Sequence, residues 1–289
     1  MRKYIHGLLK IMSLNGSKFE HHRVGKNLKH FNFVYKDPSD NVINEKTHIK
    51  DLGVYISNNL TWKRQVDEVV SKARAMTGWI LRTFSTREKV PLMTLWMSQV
   101  RPILDYCSAL WSPEPSNFKE IDVLEDSLRT FTRQINGMEG LDYAQRLKAL
   151  GLYSVQRRHE RYKIIYAYKI KEGLVENLSD AYGLNFTYYG RHGCRCTMPT
   201  FPLYNNKVKK ARTNSFALTA CNLWNSLPKH IRNISGKNIE YFKKTLDNTL
   251  KQYPDIPRCS AVGLYRDIHG RKSNSLYHIL KDKEIKKIA

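Results

Sequence analysis

The sequence predicts an α+β fold that is mainly α. Three observations carry this. Residues 1–60 alternate apolar and polar side chains between turn residues. Residues 61–177 repeat apolar side chains every three to four positions. Residues 178–289 lose that period and gain basic charge. The expected order is short antiparallel strands (1–60), a helical bundle (61–177), and an irregular basic C-terminal region (178–289) with one or two helices and a loose tail.

Each element has a local reason. Phe31, Phe33 and Tyr35 alternate with Asn32 and Val34, as in a half-buried strand. Asp37-Pro38-Ser39-Asp40-Asn41 is a turn. His48 to Ile56 reads as a second strand, with Gly53 a bulge or a close backbone contact. Thr61 is a fair N-cap for a helix carrying Val66, Val69, Ala73, Met76 and Ile80. Val90, Met93, Met97, Val100, Leu104, Cys107 and Trp111 form the next stripe, and Pro102 predicts a kink near Gln99–Arg101. Ile121, Leu124, Leu128, Phe131 and Ile135 make a third stripe, ended by Asn136-Gly137. A short helix over Asp142–Leu150 stops at Gly151, and a long one runs from Ser154 to Glu172 and stops at Gly173. Such helices with short loops make a bundle. Further on, Leu218, Leu223 and Trp224 look buried within 217–227, and Ile239–Leu250 reads as a helix with Phe242 and Leu246 on one stripe. From Pro254 the pattern fades, and the lysines of 281–287 sit on a tail expected to be loose.

The chain has 289 residues, 41% hydrophobic and 26% charged, which excludes disorder throughout. No run of about 18 apolar residues exists to span a membrane. Five irregularly spaced cysteines argue against a secreted disulfide scaffold, so a reducing compartment, nucleus or cytoplasm, is expected. The net charge is +23, and it is uneven: +5 over 1–60, +2 over 61–150 and +16 over 151–289. From Ala181 to Ile239 there are nine Lys or Arg and no Asp or Glu. Such a surface wants a polyanion, and RNA or DNA is the expected partner rather than a membrane.

Several phrases then line up in order. They are Met12-Ser13-Leu14-Asn15-Gly16-Ser17-Lys18, Ile49-Lys50-Asp51-Leu52-Gly53-Val54, and Val100-Arg101-Pro102-Ile103-Leu104-Asp105-Tyr106-Cys107 running into Leu110-Trp111-Ser112-Pro113. Arg146 to Ser154 with Arg157-Arg158 follows, and Asn222-Leu223-Trp224-Asn225-Ser226-Leu227-Pro228 is last. Together, over about Met12 to Leu250, they resemble the C-terminal third of a reverse transcriptase from a non-LTR, LINE-type retrotransposon of the jockey-like kind. The resemblance implies the end of the palm over 1–60, a helical thumb on the template–primer duplex over 61–177, and a basic region after it. It also implies an RNA-directed DNA polymerase whose palm and fingers, the expected structural partner, lie upstream. That polymerase needs two divalent metal ions held by a Tyr- or Phe-x-Asp-Asp hairpin. This chain contains no Asp-Asp. No catalytic residue is therefore assigned, no cofactor is expected in this stretch (magnesium belongs to the complete polymerase), and the chain reads as a fragment inactive alone. The alternative is a stand-alone basic helical RNA- or DNA-binding protein.

Two clusters are the candidate nucleic-acid contacts. Lys207, Lys209, Lys210 and Arg212 lie beside Tyr204 and near Phe216, basic groups for phosphates among aromatics for bases. Arg157, Arg158, Arg161 and Lys163 lie on one predicted helix, Arg157 and Arg161 one turn apart, as a phosphate ladder would be. Against these stands a solvated loop for the first and a solvated face for the second. His192-Gly193-Cys194-Arg195-Cys196 lacks the paired spacing of a zinc site and reads as a loop with free thiols. Trp96, Trp111 and Trp224 read as core anchors, and His21-His22-Arg23 as a surface loop.

Overall fold

The computed structural model describes residues 15–24, 33–176, 183–198, 215–257 and 274–286. Among them the fold is mainly α, with two small antiparallel two-stranded sheets. The chain divides into two compact units, Met1–Gln65 and Val66–Ala289.

In the first unit, β1 (His48–Asp51) and β2 (Val54–Ser57) pair as a hairpin, Ile49 opposite Ile56 and Asp51 opposite Val54. This corrects the reading of one continuous strand. Leu52 and Gly53 both take positive φ, 45° and 85°, so two residues reverse the chain in the sense that matches strand twist. The turn at Asp37–Asn41 is as expected: Asp37 Oδ1 accepts the Ser39 and Asn41 N–H groups at 2.8 and 2.9 Å. Phe33, Val34 and Tyr35 are exposed and form no named strand; Phe31 and Asn32 lie outside the described residues. Arg23 pairs with Glu45, and His22 meets the Lys46 carbonyl at 2.9 Å, a surface loop as read.

The second unit begins inside α1 (Lys63–Thr83), which buries Val66, Val69, Val70, Ala73, Thr77 and Ile80 on one stripe. α2 (Lys89–Leu95), a π-turn (Trp96–Val100) and α3 (Arg101–Asp105) form one widened helix. Pro102 has no N–H and its ring crowds the carbonyl four residues back. The Arg101 N–H therefore reaches the Trp96 carbonyl, five residues back. The helix is thus widened over Trp96–Val100, directly before Pro102. The buried stripe is Leu92, Trp96, Val100 and Leu104, whereas Val90 is exposed. Cys107, at φ 51°, breaks the helix, and Trp111 falls at the end of a separate turn, α4 (Ser108–Trp111).

α5 (Phe118–Thr132) buries Leu124, Leu128 and Phe131. α6 (Tyr143–Leu150) opens with a reciprocal cap between Asp142 and Gln145 and closes at Gly151, φ 68°. α7 (Val155–Lys171) is capped by Ser154, whose Oγ accepts the Arg157 N–H at 3.0 Å. Ten of its 17 residues are buried. It packs against α3, α4 and α5 on one side and against two later helices, α8 (Phe216–Ser226) and α10 (Ile239–Leu250), on the other.

That placement overturns two expectations for 178–289. No boundary falls at 177/178, because α7 supplies Ile164, Ile165, Ala167 and Tyr168 to the same core as Leu223, Trp224, Phe242 and Leu246. Nor is the region irregular throughout. β3 (Asn185–Tyr189) and β4 (Gly193–Thr197) form a hairpin through a 3₁₀ turn, with Phe186 opposite Cys196 and Tyr188 opposite Cys194. α9 (Lys229–Arg232) follows α8. The expected loose tail instead contains α11 (Leu276–Lys286), which buries Leu276, Ile279 and Leu280 against α8. Its apolar stripe is one turn long, too short to stand out among lysines.

Tyr168 and Phe242 stack at 3.8 Å with rings 6° apart, and Trp224 lies 6.3 Å beyond. Phe242→Ala should therefore open a cavity that the stacked rings cannot refill, costing about 3–5 kcal/mol. Chemical denaturation would show this as a lower midpoint. A variant as stable as the parent would mean that this stack is not the core.

Candidate nucleic-acid interface

Of the predicted phosphate ladder, Arg157, Arg158 and Lys163 are buried and Arg161 is half-buried. Arg157 is 0% exposed, and its Nη2 donates to the Pro254 carbonyl at 2.6 Å. Arg158 donates from Nε to Asp105 Oδ1 at 3.2 Å and from Nη1 to the Tyr153 carbonyl at 3.3 Å. Arg161 grips Asp247 of α10 with both arms, at 2.5 and 2.7 Å. Lys163 is 3% exposed. The reason is topological: α7 is covered on the side that reads as a solvated face. Lys207, Lys209, Lys210 and Arg212 lie outside the described residues.

Asp105 explains much of this burial. Besides Arg158, it accepts Arg101 Nε at 3.0 Å and the Tyr162 hydroxyl at 3.0 Å. The His159 ring lies 3.6 Å away and meets the Leu104 carbonyl at 3.0 Å. Burial alone would raise the Asp105 carboxyl. The surrounding Arg158, His159 and Arg101 overcome it and hold the group well below the usual carboxylate range. His159 is held the other way, its pKa lowered by burial in spite of Asp105. Both groups therefore tie α3 to α7. The Trp96 and Trp111 rings are fully buried, Trp96 stacked on Phe131 at 4.6 Å and Trp111 donating to the Tyr106 carbonyl at 2.7 Å.

Among the described residues, one exposed basic cluster lies on the β3–β4 hairpin, which sequence reasoning missed. Tyr188 and Tyr189 are 64% and 49% exposed. Arg191, His192 and Arg195 on the hairpin and Lys229 and His230 at the start of α9 are exposed too. Among the described residues, Arg191, Arg195 and Lys229 enter none of the ion pairs. The alternation along β4 decides which groups face out. Cys194 and Cys196 are buried, so Arg195 between them points to solvent. A signal existed in Cys194-Arg195-Cys196, an apolar–basic–apolar alternation next to Asn185–Tyr189.

This platform is held rigidly. Asn233 Oδ1 accepts the Cys194 N–H at 2.9 Å, and Asn225 bonds both the N–H and the carbonyl of Cys196, at 2.9 and 2.7 Å. Arg232, buried, donates to the Leu227 and Cys194 carbonyls at 2.8 Å each. Phe186 meets the Trp224 ring edge-on at 5.3 Å. Gly193 combines φ 70° with a close approach, since a Cβ there would lie 2.4 Å from Asn233 Oδ1.

Asp105 gives a pH prediction. A depressed folded pKa contributes stability above the unfolded value of about 3.9, lost as pH falls through the folded value. Asp105→Asn should cost about 3 kcal/mol at pH 7, by leaving Arg158 buried without a counter-charge. Below about pH 4 the gap between the two proteins should begin to narrow, and it should keep closing toward the depressed folded value. Melting curves from pH 7 to 2 check this, and a constant gap between them would refute it.

No family model, no curated protein and no solved structure matches this chain.

Proposed function

We propose that this chain binds nucleic acid with little sequence preference, as the C-terminal part of a non-LTR retrotransposon reverse transcriptase. The observation that carries the binding role is the hairpin platform. It presents exposed Tyr189 on the same face as Arg195, with Arg191 in the turn and Lys229 at the start of α9, within a stretch that has no acidic residue from Ala181 to Ile239. Guanidinium and ammonium groups take phosphates, and tyrosine faces stack on bases of any sequence. The polymerase setting is supported by the ordered phrases from Met12 to Pro228. The chain's contribution there is to hold template and primer, and chemistry belongs to an Asp-Asp centre that its sequence lacks.

Binding should be strongly salt-dependent. With about six phosphates neutralised on a single strand, log K should fall with log salt at a slope of roughly −4, a few hundred-fold between 50 and 200 mM. Replacing Arg191, Arg195 and Lys229 with Ala should weaken binding and flatten that slope by about 2 units. Fluorescence anisotropy with a labelled oligonucleotide measures both. An unchanged affinity and slope would remove the hairpin from the interface.

The purified chain should not extend a primer on an RNA template with magnesium or manganese. Template-dependent extension that survives removal of contaminating polymerases would contradict the proposed division of labour.

A further inference from the structure

Lys163 is a buried cation that the fold does not use. Its neighbours on α7 each have a partner: Arg157 a carbonyl, Arg158 a carboxylate, Arg161 a bidentate carboxylate. The Lys163 ammonium has neither a hydrogen bond nor an ion pair among the described residues. It lines a cavity of about 210 Å³ enclosed by α7, the loop after α4, α5, α8 and the start of α11. Pro113, Leu124, Leu223 and Tyr277 give the cavity a mainly apolar wall. Ser116 and Asn222, both exposed, stand at its rim, so small molecules have a way in.

Glu160, one helical turn before Lys163, also lines the cavity. Its Oε2 accepts the Leu276 N–H at 2.8 Å, which holds the carboxyl in place. Glu160 and Glu114 attract Lys163. A free anion entering the cavity meets two carboxyl groups, and a free cation meets the lysine. A neutral ligand with an apolar body and one polar end suits the wall. An apolar cavity of about 150 Å³ takes up benzene, which sets the scale at roughly eight non-hydrogen atoms.

We propose that this cavity binds a small neutral aldehyde or ketone and that the Lys163 amine adds to its carbonyl to form an imine. The nitrogen lone pair makes the new C–N bond while the carbonyl π pair moves onto oxygen. The nitrogen then loses a proton and the oxygen gains one. As the C–O bond breaks, a second proton passes from nitrogen to the departing oxygen, which leaves as water, and the nitrogen lone pair completes the C=N bond. Glu160 is the group placed to carry the proton from nitrogen to oxygen. Two features of the site favour this chemistry. Burial lowers the Lys163 pKa to about 8, and burial raises that of the Glu160 carboxyl.

The probe is benzaldehyde with cyanoborohydride, which reduces an imine to a stable benzylamine that peptide mapping locates. At pH 7.5 an amine with a pKa of about 8 is about one quarter neutral. An exposed lysine is about 0.1% neutral, a difference of roughly two-hundred-fold. Lys163 should therefore be the first lysine labelled in the folded chain. Benzyl alcohol, which fits the cavity and forms no imine, should protect it. Glu160→Gln should slow labelling at least tenfold without moving its site. Lys163→Met, an apolar replacement in an apolar wall, should fold and lose this label. Mapping of the parent protein decides the matter even if a variant fails to fold. Lys163 left unmodified while exposed lysines react would overturn the proposal, as would labelling that benzyl alcohol leaves unchanged. Oligonucleotide binding is read separately, so the failure of either proposal leaves the other standing.

Discussion

A helix carrying seven charged side chains runs through the interior of this protein, and the rest of the second unit is arranged around that fact. Charges removed from water are costly unless a counter-charge or a carbonyl replaces the lost hydration. α7 meets this requirement at its three arginines. Asp105 comes from α3 to Arg158, Asp247 from α10 to Arg161, and the Pro254 carbonyl to Arg157. Each of these partners lies far away in sequence, at separations of 53, 86 and 97 residues. The pairs therefore fix which elements surround α7 as well as neutralising it. The same logic joins α5 to α6 and α7: buried Glu125 takes the Tyr143 hydroxyl at 2.7 Å and the Gln156 N–H at 2.8 Å.

This has a consequence for the basic character of the chain. Among the described residues, two groups of cations do different work. Arg157, Arg158, Arg161 and Arg232 are internal fasteners that hold carbonyls and carboxylates of neighbouring elements. Arg191, Arg195 and Lys229 stand outside on a hairpin that Arg232 and two asparagines clamp to α8 and α9. A buried arginine thus positions exposed ones. The hairpin is stiff for a surface element, so its tyrosines and cations are presented without a large ordering cost on binding. Lys163 belongs to neither group, which is why its cavity stands out chemically.

Much of the fold was legible because its signals are local. Ser154 and Gly173 bound α7, Asp142 and Gly151 bound α6, and Pro102 locates the distortion in the α2–α3 helix; each depends on a few neighbouring residues and on backbone geometry. The β1–β2 hairpin was hidden because Leu52 is a poor marker for the positive φ it adopts beside Gly53. The β3–β4 hairpin was hidden because cysteines at 194 and 196 do not advertise an apolar face, although the fold buries both. α11 was hidden because three apolar residues on one turn carry little periodic signal until α8 covers them.

The sequence by itself determined the class of fold, the ends of the longer helices and the excess of positive charge, since these follow from spacing, capping residues and counting. It did not determine which cations face water. Arg157 and Arg158 have the composition of a solvated face, and nothing within one turn of them reveals Asp105 or Pro254. Only the tertiary structure, by bringing α3, α10 and the chain near Pro254 onto α7, turned a predicted phosphate ladder into a largely buried helix of the second unit. The physical reason is that a charge is read by its surroundings, and those surroundings are set by contacts some fifty to a hundred residues away.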